Sequence, residues 1–216
     1  MSVKLVWATP DGDNLIAYMA RVSAPENQDQ PETAAKLIGY LLKNKHFSPF
    51  EMCNMCVEVN TTRDIGRQLL RHKSLCFQEW SQRYADVSKL EKAQPREARM
   101  QDRKNRQNSI DTDDETLKAW WQDAQADVLS VAETRYREAL DRGIAKEVAR
   151  AVLPEGLTSS RLYINGSVRS WLHFCDLRMG HGTQREAVAV ATDIYGILKD
   201  QFPAVCSAFE AHMHTD

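Results

Sequence analysis

The sequence predicts a helix-rich α+β fold in a single domain with few strands. Apolar residues recur at helical spacing in several long segments, whereas only residues 52–60 and 157–164 have the pattern of strands. With 216 residues, of which 43% are hydrophobic and 27% charged, the chain is large enough to bury a substantial core. No internal repeat or low-complexity tract divides it. We therefore expect one domain over residues 1–216.

The first half of the chain predicts two helices with a strand between them. Apolar residues at helical spacing follow Pro31 in residues 34–42, and Pro49 breaks that pattern. Residues 52–60 alternate in part, which favours a strand, and residues 61–73 favour a second helix. Alternation places four side chains on one face of the strand: Cys53, Met55, Val57 and Val59.

Residues 88–115 are dominated by charged and amide side chains and contain few apolar anchors, which predicts a mobile surface excursion or lid. The clearest helical pattern of the chain follows directly. Its apolar residues keep to one stripe, and Gly143 is placed to end the helix. The stripe consists of Leu117, Trp120, Trp121, Ala124, Val128, Ala132, Tyr136 and Ala139.

The last third of the chain predicts three helices and one strand. A short helix over residues 145–152 precedes the predicted strand at 157–164. A helix over residues 167–178 comes next, and a long helix over residues 183–202 ends at a proline. This order of elements completes the α+β prediction.

The charge and the ends of the chain argue against several classes of protein. The formal net charge is −2, whereas a general nucleic-acid binder is usually strongly basic. The N-terminal segment has no long apolar region, and no run of the sequence is long enough to span a bilayer. We therefore expect a cytoplasmic protein that binds neither nucleic acid nor membrane. Five unevenly spaced cysteines suit reduced thiols better than a disulfide framework.

The cysteines offer two candidate chemistries. Cys53 and Cys56 have the spacing of a zinc or redox pair, but residues three apart in a strand point to opposite faces. We therefore expect core cysteines and no metal site. Cys76 could be a nucleophile activated by Arg71 or His72, although a free cysteine is more often a small buried hydrophobe.

Basic side chains are concentrated in RHKSLCFQEWSQRY, residues 71–84. The chain has no glycine-rich phosphate loop, so side chains would have to hold an anionic nucleotide. Arginine suits this role because its planar fork pairs with phosphate or with an imide edge. Arg169 and His173 share a helical face, whereas Arg178 would point the opposite way. Because such arginines flank turns and apolar segments, we favour ligand binding over solvated surface charge.

The stretch at 71–84 resembles the signature of flavin-dependent thymidylate synthases, R-H-R-x-x-S-x-N-E-x-S-x-R-Y. It departs from that pattern at Lys73, Cys76 and Gln78, where the family has arginine, serine and asparagine. Met52 likewise stands where the family has a histidine. Four further segments resemble family motifs in the same order: HFSPFE at 46–51, EVARAVLP at 147–154, VRSWLHFCDLR at 168–178 and TQREA at 183–187.

The resemblance implies the reductive methylation of dUMP to dTMP. Methylenetetrahydrofolate would be the carbon donor and NADPH the reductant, with FAD as the cofactor that passes on the hydride. It also implies a small, mainly antiparallel sheet within the helix-rich domain. The domain would assemble as a homotetramer whose active sites are built from several subunits.

The resemblance also assigns site residues by position. Arg178 takes the catalytic role, because it falls where the family's arginine grips the uracil and helps to ionise N3. The positions for dUMP contact are Gln68, Arg71, Glu79, Trp80, Ser81, Gln82, Arg83, Arg150 and Arg178. The positions for FAD contact are Ser48, Arg71, His72, Lys73, Glu79, Ser167, Val168, Arg169 and His173. The family needs no cysteine nucleophile, which weakens that role for Cys76.

Two alternatives stay open at this point. The same arginines could belong to a non-catalytic module that binds nucleotides or RNA, with Phe77, Trp80 and Tyr84 stacking on bases. The chain could also be a degenerate family member that is kept as an oligomeric scaffold.

Overall fold

The computed structural model describes residues 1–180 and 182–213, which form a four-stranded sheet, a two-stranded hairpin and eight α-helices. The strands are β1 (Ser2–Ala8), β2 (Asn54–Thr62), β3 (Cys76–Glu79), β4 (Arg99–Gln101), β5 (Ser109–Asp111) and β6 (Ser159–Ser167). The helices are α1 (Gly12–Ala20), α2 (Ala34–Lys43), α3 (Arg63–Leu69), α4 (Glu115–Asp141), α5 (Lys146–Ala149), α6 (Val168–Met179), α7 (Arg185–Gln201) and α8 (Pro203–Met213).

The main sheet has the order β1-β2-β6-β3, and all of its neighbouring strands are antiparallel. This confirms the predicted helix-rich α+β domain with a small antiparallel sheet. The predicted strands at 52–60 and 157–164 lie two residues or more further along the chain, as β2 and β6. None of the helices in the described residues is long and apolar enough to cross a membrane.

The core lies on one face of this sheet, because β2 alternates as its sequence predicts. Met55, Val57 and Val59 are fully buried, as is Cys53 just before the strand. α6 and α7 pack against the same core, and the Trp171 indole N–H donates a hydrogen bond to the Met55 carbonyl oxygen at 2.9 Å. Strand alternation therefore determines which side of the sheet the helices cover.

α4 confirms the predicted long helix, and Gly143 follows its end with a φ of 78°. Glycine adopts this left-handed conformation without strain, so it suits a helix end. The apolar stripe of α4 is only partly covered. Ala132 and Tyr136 are buried, whereas Trp120 is 60% exposed and Val128 is 55% exposed. The chain thus leaves an apolar surface on its longest helix.

The charged segment 88–115 is better anchored than its composition predicts. It contains the β4–β5 hairpin, and Leu90 and Ala98 are buried. Arg96 pairs with Asp64 at 2.7 Å. Two apolar side chains and the ion pair of Arg96 therefore attach parts of this segment to the rest of the chain. Motion of this segment stays a prediction.

Candidate active site

A cavity of about 520 Å³ lies between the turn after α3 and the last turn of α6. The turn arises because α3 stops at Leu69, after which the His72 N–H donates to the Leu69 carbonyl oxygen. It carries the first residues of the 71–84 stretch to the cavity wall, opposite the end of α6. The lining residues are Arg71, His72, Lys73, Ser74, His173, Leu177 and Arg178.

Arg178 is held in this cavity by two hydrogen bonds. Its Nε donates to Nε2 of His72 at 2.6 Å, and its Nη2 donates to the carbonyl oxygen of Gln68 at 3.0 Å. Because Nε2 accepts, the His72 ring must be neutral and carry its proton on Nδ1. Nη1 of Arg178 has no hydrogen-bond partner among the described residues. The Nε and Nη2 edge of the guanidinium is therefore fixed, and Nη1 remains available to a ligand.

His72 is suited to stay neutral at this position. It is 8% exposed, and its ring packs edge-on against Phe174 with the ring centroids 4.8 Å apart. Burial, together with the charges of Arg178 and His173, lowers the pKa of His72 from 6.5 to about 4. Burial and the neighbouring Arg71 also lower the pKa of Arg178. At neutral pH the pair is thus a cationic arginine on an uncharged imidazole.

The depressed pKa of His72 predicts a loss of stability in acid. Between pH 6.5 and pH 4 the unfolded chain binds a proton at His72 that the folded chain does not, so the free energy of unfolding falls as the pH falls. We expect this residue to contribute about 2 kcal/mol of that fall between pH 7 and pH 5. Urea unfolding at both pH values measures it.

His72→Gln should remove this contribution, whereas His46→Gln, which changes an exposed histidine, should leave the acid sensitivity as it is in the wild type. An unchanged acid sensitivity in His72→Gln would mean that His72 binds a proton as readily in the folded protein as in the unfolded chain.

Arg71 and Lys73 complete the positive charge of the cavity. Both side chains are exposed, and neither has an ion pair or hydrogen bond among the described residues. Many other arginines of the chain are paired with carboxylates, as Arg83 is with Glu147. Since the net charge of the chain is −2, the concentration of unpaired cations here is a local feature. It fits an anionic ligand.

A second group of predicted residues lies at the first turn of α6. Arg169 pairs with Glu51 at 2.7 Å, and its guanidinium lies 5.5 Å from the centre of the Phe47 ring. The Ser167 hydroxyl donates to the other Glu51 oxygen at 2.5 Å. The Ser167 bond, opposed by burial and helped by Arg169, lowers the pKa of Glu51. Ser48 belongs to the same helical turn as Glu51.

His173 connects the two groups, because it lies one turn after Arg169 and also lines the cavity. Val168, by contrast, is fully buried, and its N–H donates to the Cys53 carbonyl oxygen. Its side chain is therefore part of the core, and a flavin contact at this position stays a prediction.

A third group surrounds the end of β3. Glu79 accepts a hydrogen bond from Ser160 at 3.0 Å and one from Arg63 at 3.4 Å. Arg83 and Arg150 both donate hydrogen bonds to Glu147. Arg83 donates to the Glu147 carboxylate, and Arg150 donates to the Glu147 main-chain carbonyl oxygen. The other members predicted to contact dUMP are Trp80, Ser81 and Gln82, and the side-chain nitrogens of Trp80 and Gln82 are buried without a partner in the described part of the chain. Within one chain, the hydrogen bonds of Arg178 go to His72 and Gln68 and not to this group.

The aromatic residues of the 71–84 stretch do not form one stacking surface. Phe77 packs against the core, Trp80 is partly buried, and Tyr84 is 87% exposed. A row of exposed rings, which an RNA-binding surface needs, is therefore missing from this stretch.

The cysteines lie as the strand geometry predicts. Cys53 is buried beside the core, and Cys56 lies on the opposite face of the sheet, between Trp7 and Asn165 of the neighbouring strands. Within the residues that the structure describes, no three His, Cys, Asp or Glu side chains could hold a metal ion together. Cys76 is exposed on β3.

A family model described as "Thymidylate synthase complementing protein" matches residues 4–204. The chain belongs to this family. Two relatives are similar over almost their whole length. A "Probable flavin-dependent thymidylate synthase" of Paramecium bursaria Chlorella virus 1 is 43% identical over 217 residues, which is 97% of this chain and 99% of the relative. A "Flavin-dependent thymidylate synthase" of Synechocystis sp. is 46% identical over 202 residues, covering 94% and 90%.

A solved structure of the same fold supports this membership. The crystal structure of a UMP/dUMP methylase, PolB from Streptomyces cacaoi, bound with 5-Br dUMP, is 31% identical with a TM-score of 0.83. The match covers 97% of this chain and 94% of that one. Together the matches confirm the family that the motifs predicted, the flavin-dependent thymidylate synthases, and with it an FAD-dependent enzyme.

Sequence reasoning missed several polar residues that contact the predicted site residues in this family member. Glu51 holds Arg169, Arg63 reaches Glu79, and Gln184 contacts Gln68 at 2.7 Å. Glu51 and Gln184 belong to two of the segments that carry the family resemblance, HFSPFE and TQREA. Those motifs could therefore have pointed to Glu51 and Gln184, whereas Arg63 lies in none of the segments that resemble the family.

Proposed function

We propose that the cavity at the ends of α3 and α6 binds dUMP, and that the chain converts it to dTMP by reductive methylation. Methylenetetrahydrofolate is the carbon donor and NADPH the reductant. FAD, when bound, supplies the hydride-transfer chemistry. The observation that carries the proposal is the fixed guanidinium of Arg178, which faces a cavity where Arg71 and Lys73 have no partner in the described residues.

Arg178 has the chemistry to activate a uracil ring. A guanidinium beside the imide lowers the energy of the N3 anion, and that anion pushes electron density toward C5, where the new carbon is attached. A preorganised charge of this kind typically contributes about 3 kcal/mol to a transition state. The bonds from Arg178 to His72 and Gln68 supply the preorganisation, because they fix the guanidinium before substrate arrives.

The residues proposed for FAD fit an anionic dinucleotide. Arg71 and Lys73 offer unpaired positive charge, and Arg169 is oriented by Glu51. Arginine can bind a phosphate with two parallel hydrogen bonds, whereas Lys73 acts as a point charge. Of the proposed flavin residues, Arg71, His72, Lys73 and His173 line the cavity. Arg169 and Ser167 contact Glu51, and Ser48 belongs to the same helical turn as Glu51.

We also propose that the active site is completed by association into a homotetramer. Arg83 and Arg150, at positions for dUMP contact, meet at Glu147, whereas the hydrogen bonds of Arg178 in the same chain go to His72 and Gln68. A second copy could bring such a pair to the cavity. The exposed apolar surface of α4, with Trp120 and Val128, offers area for that association.

A cytoplasmic location is part of the proposal. All five cysteines are free thiols, which suits a reducing compartment.

The non-catalytic alternative loses support, because the family match and the relatives named above are those of thymidylate synthases.

Anaerobic reduction by NADPH tests the proposal. We expect a yellow protein whose visible flavin absorbance is bleached by NADPH. With dUMP and methylenetetrahydrofolate present, dTMP should form in proportion to NADPH oxidised, as chromatography of the products would show. A colourless protein that binds RNA with a steep dependence on salt would contradict the proposal.

A further inference from the structure

The TQREA segment at the start of α7 forms a hydrogen-bond chain that reaches the proposed dUMP site. Nε2 of Gln68 donates to Oε1 of Gln184 at 2.7 Å. Nε2 of Gln184 donates in turn to Oε2 of Glu186 at 2.9 Å. Oε1 of Glu186 accepts from Nη2 of Arg99 at 2.5 Å. The hydrogen-bond chain thus runs from β4 through the first turn of α7 to Gln68 on α3.

The chemistry of its two ends gives this hydrogen-bond chain one direction. A guanidinium can only donate and an ionised carboxylate can only accept, whereas an amide has one end of each kind. Glu186 therefore makes Gln184 present its NH2 group, which leaves the Gln184 oxygen to face Gln68. Gln68 must then present its own NH2 group to Gln184. The Glu186 carboxylate, two hydrogen bonds away, therefore sets the orientation of the Gln68 amide.

Burial keeps this arrangement in place. The side chains of Glu186 and Arg99 are 14% and 11% exposed, so water competes little for their hydrogen bonds. Burial alone would raise the pKa of Glu186. The hydrogen bonds from Gln184 and from the Glu186 main-chain N–H, together with the charge of Arg99, outweigh burial and lower the pKa below its usual value. Glu186 is therefore ionised at neutral pH.

Gln68 is placed so that its orientation matters. Its carbonyl oxygen on the main chain holds Arg178, and its side-chain Oε1 has no partner among the described residues. We propose that Gln184 and Glu186 are positioning residues that fix Gln68 with Oε1 directed at a hydrogen-bond donor of dUMP. The donor is the ribose 3′-hydroxyl or the imide N–H. This inference rests on the proposed function, because it takes dUMP as the ligand.

Glu186→Gln should invert the direction of the hydrogen-bond chain. Arg99 still requires an acceptor, so the new amide would turn its oxygen to Arg99 and its NH2 group to Gln184. Gln184 and then Gln68 would have to rotate, and Gln68 would meet dUMP with NH2 in place of oxygen. Since Gln68 would lose a hydrogen bond to dUMP in a partly buried site, we expect KM for dUMP to rise about tenfold. Flavin absorbance should stay as in the wild type.

The double variant Gln184→Glu with Glu186→Gln is the decisive rescue. Its net charge equals that of the wild type, and the carboxylate at 184 again accepts from Gln68. The amide at 186 donates to that carboxylate and accepts from Arg99. We expect KM to return to within about twofold of the wild type. If Glu186 acted only through its ion pair with Arg99, the double variant would be as impaired as Glu186→Gln, and the proposal would be overturned.

Two further measurements complete the test. Gln184→Met, which has no polar end, keeps the volume but breaks the hydrogen-bond chain, so it should raise KM even if Glu186→Gln fails to fold. With 2′,3′-dideoxyuridine monophosphate, a vanishing effect of Glu186→Gln on KM assigns the donor to the 3′-hydroxyl, and a persisting effect assigns it to the imide.

Wild-type protein that forms no dTMP would contradict the proposed function. Wild-type protein that forms dTMP, with unchanged KM in every variant, would contradict the positioning role alone.

Discussion

Replacing Arg178 with alanine is expected to lower the rate of dTMP formation at least about 100-fold. The guanidinium is the charge proposed to stabilise the N3 anion of uracil, and its two bonds to His72 and Gln68 fix it before substrate binds. Steady-state assays over a range of dUMP concentrations would measure the effect. We expect most of it in kcat, because the anion develops only as the reaction proceeds.

Two control variants separate this role from a structural one. Arg178→Lys keeps the positive charge but loses the planar fork, so it should recover only part of the lost rate. Arg169→Ala changes an arginine at the other end of α6 and should weaken flavin binding instead, visible as lost absorbance. Arg178→Ala should stay folded and lose only about 1–3 kcal/mol of stability, the cost of leaving the partners of its two hydrogen bonds unpaired. Substantial turnover in that variant would remove Arg178 from its role.

The elements that were predicted correctly are those whose burial follows a regular period. α2, α4 and α7 each carry an apolar stripe, and β2 alternates between a buried face and a half-buried face. β1 was missed because it is an edge strand with an irregular register between Leu5 and Trp7, which breaks its alternation. α8 was missed because Pro203 reads as a stop, although proline is also favoured at the first position of a helix.

The sequence named candidate site residues but not the contacts between them. The motifs supplied Gln68, His72 and Arg178, and spacing along one helix related Arg169 to His173. The bond from Arg178 to His72 joins residues 106 positions apart, and the bond from Gln68 to Gln184 joins residues 116 apart. Such contacts depend on how α3, α6 and α7 pack, which no local pattern encodes.

The departures from the family signature fall on exposed positions. Met52 is 53% exposed, and Lys73, Cys76 and Gln78 are exposed as well. Their side chains therefore contribute little to the core of the single chain. Any effect of these four replacements should appear in ligand binding or association rather than in folding.

Introducing a charge on the exposed face of α4 is expected to separate the subunits and abolish most of the activity. Val128 is 55% exposed and lies two turns after Trp120, which is 60% exposed. An aspartate at 128 would have to lose its hydration if this face is covered by another copy. The single chain should tolerate the change, because exposed substitutions typically alter stability by about 0.5 kcal/mol or less.

Val128→Asp should therefore elute as a smaller species in size-exclusion chromatography with light scattering. Its activity should fall at least about tenfold at low protein concentration and recover in part as the concentration rises, since association follows mass action. Ala126→Asp is the matched control, because it adds the same charge at an exposed position on another side of the same helix. That variant should keep the size and activity of the wild type.

The two measurements of Val128→Asp decide whether the sites are shared. In one chain, Arg83 and Arg150 meet at Glu147 and not at the cavity that holds Arg178. If a separated subunit kept full activity, the cavity of one chain would be sufficient for the reaction, and the arginines at Glu147 would have no part in binding dUMP. If size and activity fall together, substrate binding requires groups from more than one copy, and α4 is part of the surface that brings them together.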